Sequence, residues 1–354
     1  MATLLEIQPG DPAWEDVLCR HQHDCYHTAA YLTLMAAHEP GATVSGLLYR
    51  DHDAEAFLPI VVRPLPAHLG PEINGSDFFV PYGYGGPIGP AIADATAFSG
   101  WLNAVKEWAL QKNIVSGFLR WHPLLPAPLD SNSGDLQIRG ATVAVDLEAF
   151  CGALDDAPRP THRSEIRWLL RNNYTLAWDA WEYFKDFRRL YAATMARLSA
   201  KASYHYSAEY FDQMKQRLSS VLHLGVVLTP TQTVAAAALF TECSGIVQYS
   251  LSASDESLSR KSPTKLLIAA ARGWAKSRGN KWLHLGGGLG SDRDRLFQFK
   301  AGFSDCVTPF AISQLVFDQC RYDALVTRAA TIATLPTSSP YFPAYRALLE
   351  NAGL

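Results

Sequence analysis

From Ser262 to Gly279 the sequence SPTKLLIAAARGWAKSRG marks both ends of a helix. Ser262 is a favoured N-cap residue, and Pro263 suits the first helical position because its missing N–H has no helical partner there anyway. Gly279 stands where a left-handed residue would close the helix. Gly245–Leu251 before it and Lys281–Leu285 after it read as strands. The helix start carries Ser262, Thr264 and Lys265, with Arg260 and Lys261 just ahead. Free N–H groups, the helix dipole and these cations together favour an anion such as phosphate. The alternative is a well-capped helix with solvated lysines. No GxxxxGK[ST] is present, so a P-loop nucleotidase is not supported.

The second strand runs into LHLGGGLGSDRDRLFQFKAGF, Leu283–Phe303. Gly286, Gly287 and Gly288 make a permissive turn. Ser291 with Asp294 three residues on resembles a capping box, and Gly302 ends a short helix that carries Phe299 and Lys300.

At 354 residues, 48% hydrophobic and 18% charged, the chain predicts a globular protein of two domains. Its longest apolar stretches, such as Val234–Phe240, are far short of a membrane span. The N-terminus has acidic residues early and no basic n-region, so the expected location is the cytoplasm. Six scattered cysteines without a CxxC pair point to buried free thiols rather than disulfides or zinc. His21, His23, Asp24 and Cys25 are expected to form a surface cluster, not a metal site.

Both halves read as mixed α/β. In the first, Val44–Tyr49 and Ala56–Val62 predict a hairpin around Arg50–Asp53. The loop DFFVPYGYGGPIGP, Asp77–Pro90, follows, then a helix near Ala95–Lys112 and a strand Ile114–Arg120. Asp130–Asp135 reads as a turn and Gly140–Leu147 as a strand. Residues 151–160 look like the linker, which predicts domains at 1–155 and 156–354. The second half continues with helices Arg163–Asn172 and Tyr183–Ala200 and strands Thr175–Asp179, Leu224–Leu228 and Val234–Thr241. Arg163, Arg167 and Arg171 recur every four residues and so share one helix face. The net charge of −3 hides an asymmetry. Residues 1–150 hold 7 basic against 17 acidic side chains (−10), and residues 151–354 hold 24 against 17 (+7). The second half therefore attracts polyanions.

These segments taken in order resemble the Fem family of aminoacyl-tRNA-dependent transferases. The pieces that carry the resemblance are CYHTAAYL, PYGYGGPIGP, FLRWHPLLP, RSEIRWLLRNNYTLAW, TMARLSAKASYHYSAEYF, YSLSAS with SPTKLLIAAARGWAKSRG, and LGGG with LFQFKAGF. They span 25–317. The resemblance implies two tandem GNAT-like α/β domains with mixed sheets. It also implies attack of an acceptor amine on the ester of an aminoacyl-tRNA, with no further cofactor and no metal. A Phe-Lys pair closing this helix bears on catalysis in the family, and here it is Phe299-Lys300. A fixed ammonium in a water-poor pocket would stabilise the charge that grows on the ester oxygen. The alternative for Lys300 is an ordinary helix-end cation.

On the acceptor side the resemblance points to Tyr249, Lys201, Tyr204, Tyr206 and Arg120, with Tyr82 and Tyr84 lining the same cleft. Each has an alternative packing or surface role. His122 stands where many Fem proteins have an acid before proline, so a carboxylate base is in doubt, and His122 itself becomes the candidate base. The donor would meet Arg260, Ser262, Thr264, Lys265 and the three glycines. No charged helical hairpin is present, which weakens a peptidoglycan acceptor and favours a small soluble amine such as an intermediate of a specialised (antibiotic-type) metabolite. Two other readings remain: an acyl-CoA-dependent N-acyltransferase, although Q/R-x-x-G-x-G/A is absent, and a non-catalytic tRNA- or ligand-binding relic.

Overall fold

The computed structural model describes residues 2–128, 136–201, 204–289, 293–337, 339 and 341–354, with the side chains of 259 and 260 left aside. The turn expected at Asp130–Asp135, the Ser291 half of the capping box and the Arg260 side chain fall outside that description. The chain divides into two compact units, Met1–Arg139 with Phe310–Leu354, and Gly140–Pro309.

In the first unit, β1 (Thr3–Ile7) pairs antiparallel with β2 (Thr43–Asp51), which forms a hairpin with β3 (Ala54–Pro64). The turn is only His52-Asp53, and His52 adopts the left-handed φ of +50° that so tight a reversal requires. β4 (Ser76–Phe79) runs antiparallel to β3 and parallel to β5 (Ile114–Arg120). Helices α1 (Pro12–Arg20) and α2 (Ala29–Ala36) are capped by Asp11 and Thr28. Helix α3 (Ala95–Gln111) is capped by Asp94, whose carboxylate accepts from Thr96 and Ala97 N–H. It buries Phe98, Trp101, Val105 and Trp108, spaced to share one face, against Leu47, Leu58, Phe78 and Leu119.

The second unit takes β6 (Leu136–Asp146) from Gly140 onward, α4 (Pro160–Arg171), β7 (Thr175–Trp178), α5 (Phe184–Arg197), α6 (Ala208–Arg217), β8 (Leu222–Leu228), β9 (Val234–Cys243), β10 (Ile246–Ser254), α7 (Pro263–Ser277), β11 (Trp282–Gly286) and α8 (Arg295–Lys300). Its strands lie in the order β6-β11-β10-β9-β8-β7. Pairing is antiparallel except between β10 and β11. Helix α7 packs Leu266, Leu267, Ala271 and Ala275 onto Val227, Ala236, Val247, Leu283 and Leu285, all of them buried. Its longest helix is α7, at fifteen residues, so the described residues contain no long helical-hairpin arm.

Strand β12 (Val307–Val316) then brings the chain back, and from Ile312 it pairs with β5. Helices α9 (Gln319–Ala333) and α10 (Ala344–Asn351) pack with Leu69 and Val115 of the first unit. The buried carboxylate of Asp77 explains this return. It accepts from Arg63, from Tyr345 at 2.8 Å and from Arg346 at 2.5 Å, and an unpaired buried charge would be strongly unfavourable. The observed units therefore differ from the expected break at 155/156. That break falls inside the second unit, because β6 pairs with β11 from Val143 onward. Charges sorted by these units, 10 basic against 18 acidic and 21 against 16, still leave the first at −8 and the second at +5.

Candidate functional site

Lys300 is the centre of the candidate site in the second unit. Its side chain is almost wholly buried, and Nζ donates a 2.7 Å hydrogen bond to the carbonyl oxygen of Gly287. Burial brings its pKa from the ordinary 10.5 down to about 8, against an opposing pull from Asp294. Asp294 is the N-cap of α8: it accepts from Phe297 N–H at 2.9 Å and from Leu289 N–H at 3.1 Å. One aspartate thus ties the glycine turn to the helix that carries the lysine. Phe299 packs on Phe303 and on the imidazole of His162, whose Nε2 donates to the Phe299 carbonyl at 3.0 Å.

Two of the three glycines are needed first by the fold. Gly286 has φ +76°, and a Cβ on Gly287 would lie 2.8 Å from the carbonyl oxygen of Ala141. The close approach expected toward a donor is, at Gly287, an approach to the protein's own neighbouring strand.

Beside this turn the parallel pair β10/β11 comes apart. Its register runs Ile246↔Trp282, Val247↔Leu283, Gln248↔His284 and stops, although the strands continue to Ser254 and Gly286. A bulge between Tyr249 and Leu251 sits just past the last pair. At that pair lies a buried polar chain. His284 Nδ1 is 2.7 Å from Gln248 Oε1, which can only accept, so the ring proton is on Nδ1. Nε2 then accepts from Thr142 at 2.9 Å, and Thr142 is 2.8 Å from Thr308.

The remaining candidates of this unit are placed as follows. The Tyr249 ring packs against Phe240 on the side of α7, and burial raises its hydroxyl to about 12. Lys201 is exposed, the carbonyl of Tyr204 accepts from Tyr191, and Tyr206 stacks on Tyr210 at 4.2 Å. Ser262 occupies the N-cap position of α7 but with φ +46° and no side-chain cap bond, unlike the extended cap the sequence suggests. Thr264 follows it, half-buried. Lys265 forms an ion pair with Glu165 of α4. The arginine face is also engaged: Arg163 donates to the carbonyls of Ala157 and Pro158, and Arg167 pairs with Asp155. Buried Arg272 donates to the carbonyls of Leu154 and Asp156. The segment expected to be a loose linker is thus held by basic side chains of α4 and α7.

His122, Arg120 and Tyr82 belong to the first unit. His122 is buried, its Nε2 bonded to Asp24 at 2.9 Å and its Nδ1 accepting from Leu124 N–H at 3.1 Å. Both nitrogens are therefore already used, and action as a base would require one of these bonds to open. Asp24 and Cys25 are fully buried and His21 and His23 half-buried, so the cluster expected on the surface is partly internal, whereas Cys19, Cys151 and Cys320 are exposed rather than buried as expected. His27 beside it bonds Gly86 O at 2.9 Å, and burial lowers its pKa to about 3. This clamps the aromatic-glycine loop. The guanidinium of Arg120 lies over Phe118 and Tyr82.

Residues 158–300 match the family model described as Acetyltransferase (GNAT) domain, a match that ends on Lys300. The crystal structure of FemX superposes with a TM-score of 0.71 at 12% identity, covering 91% of this chain and 99% of its own. In fold, the chain is Fem-like. The structure of L-PGS from Bacillus licheniformis superposes with a TM-score of 0.51 at 12% identity, covering 94% of this chain and 99% of its own. No curated protein matches the sequence.

Within this Fem-like fold, three residues near Lys300 were not singled out from the sequence: His162, His284 and Gln248. His162 and Phe299 are 137 residues apart, so no local spacing reports them. His284 did leave a signal. It stands between Leu283 and Leu285, which face α7, so strand alternation turns it to the opposite face.

Proposed function

We propose that the protein transfers an aminoacyl group from tRNA to the amine of a small soluble molecule, forming an amide. The observation that carries this is the buried Lys300 ammonium, fixed by Gly287 beside two parting strands. The Fem-like fold over nearly the whole chain supports the reading. The neutral acceptor amine attacks the ester carbonyl carbon, a C–N bond forms, and the C–O bond to the ribose breaks. The amine proton ends on the ribose hydroxyl. An ammonium has three N–H donors, of which Gly287 takes one, leaving two for the oxyanion and the leaving oxygen. At a pKa of about 8 the group is largely charged at neutral pH. The described helices are too short for a hairpin arm, which supports a small acceptor over a cell-wall polymer.

The second reading, an acyl-CoA donor, is favoured by the match to a GNAT acetyltransferase domain. Incubation with a charged tRNA pool or with acyl-CoAs, plus candidate amines, followed by mass spectrometry separates the two. The tRNA reading expects product that disappears when ribonuclease is added. Ribonuclease-resistant product from an acyl-CoA alone would overturn it.

A further inference from the structure

Helix α8 is only six residues long, so few hydrogen bonds of its own hold the last turn, which must aim Lys300. His162, from the first turn of α4, adds a contact to that turn from outside the helix. Its ring is 2% exposed and lies against Phe299 and Phe303 at 5.4 and 4.6 Å between centroids. Gly302 makes room for it, since a Cβ there would sit inside the imidazole. Nε2 donates at 3.0 Å to the carbonyl of Phe299, which also accepts from Gly302 N–H at 3.2 Å.

We propose that His162 is a positioning residue for Lys300, holding through the Phe299 carbonyl the turn from which the lysine projects. The proposal rests on the reading of Lys300 as the catalytic ammonium. Its other ring nitrogen separates it from a packing role. Nδ1 is buried without a hydrogen-bond partner among the described residues, a cost that phenylalanine or leucine would not carry at this place. What histidine adds over those residues is the single N–H to Phe299. Burial above all, with Lys265 and Arg159 near, lowers the ring's pKa against the opposing hydrogen bond to Phe299, which favours the neutral ring.

Two substitutions divide packing from positioning. His162→Phe keeps an aromatic ring and removes the donor, whereas His162→Gln restores an N–H donor. Two readouts apply to the full chain: the pH dependence of Lys300 acetylation by acetic anhydride, followed by peptide mass spectrometry, and kcat and KM on whichever donor class supports turnover. In His162→Phe the labelling midpoint should move from about 8 toward the ordinary lysine value, with kcat about tenfold lower and acceptor KM little changed. His162→Gln should return both toward wild type. Gly302→Ala, which displaces the ring without changing its chemistry, should reproduce the Phe signature and covers the case in which His162→Phe does not fold. A folded Phe variant with unchanged labelling and kcat, or a folded Gln variant that restores neither, overturns the proposal. Labelling needs no turnover, so it decides the role of His162 even if no aminoacyl transfer is found.

Discussion

Lys300 reaches back to donate a 2.7 Å hydrogen bond to Gly287, so the glycine turn and the lysine that follows it form one unit. The turn's backbone fixes the ammonium, and the ammonium in turn satisfies the Gly287 carbonyl. The charge is thereby held in place before any substrate arrives.

Replacing Lys300 by Met is expected to lower kcat by about a hundredfold to a thousandfold with the fold retained. In the wild type, kcat should fall as pH rises through about 8, where the ammonium is lost. Lys300→Arg, always charged, should be slower but flat through that range. A wild-type rate that stays level across it would detach the lysine from the rate-limiting chemistry.

The same burial has a consequence for stability. The folded pKa lies below the unfolded one, so the fold disfavours the charged form. That penalty is complete below about pH 8 and fades as pH rises toward 10.5. A shift of this size corresponds to about 3 kcal/mol, less about 1 kcal/mol for the lost bond to Gly287. Lys300→Met should therefore resist urea better than wild type at neutral pH, with the advantage shrinking in alkaline buffer. Equal midpoints at neutral pH would argue against it.

Gly287→Ala should destabilise the second unit by about 1–3 kcal/mol, because its methyl meets the Ala141 carbonyl. Activity should fall beyond that loss as the Lys300 acceptor moves. Urea titration and single-turnover rates on the folded fraction distinguish the two effects.

Asp24→Asn should destabilise the first unit by about 1–3 kcal/mol, since the buried side chain accepts from Cys25 N–H and bonds His122 Nε2. Because both His122 nitrogens are engaged, Nε2 with Asp24 and Nδ1 with Leu124 N–H, His122→Gln should lower thermal stability more than it lowers kcat. A kcat loss of a hundredfold or more in well-folded His122→Gln would restore the histidine as a base.

Arginines of one face should now behave differently. Arg163→Glu should mainly destabilise, because the side chain holds the carbonyls of Ala157 and Pro158. Arg171→Glu should leave stability alone, weaken tRNA binding and reduce the salt slope by about one unit. Unchanged tRNA binding in Arg171→Glu would take that face out of the donor site.

The sequence by itself determined the elements whose signals are local. Pro263 and Gly279 bracket α7, the run of Phe98, Trp101, Val105 and Trp108 makes one apolar face of α3, and Phe299-Lys300 ends a short helix after a glycine turn. Capping, periodicity and glycine's left-handed freedom act over a few residues, and a single chain displays them in full. Tertiary structure alone decided the rest. Asp77 brings Arg346 back across 269 residues and so returns the C-terminal helices to the first unit. Asp24 closes on His122 across 98, and His162 closes on Phe299 across 137. Each of these is a buried polar group that must find a partner to offset its desolvation. That demand fixes that a partner exists; which residue supplies it depends on where the packed sheets and helices bring distant parts of the chain together.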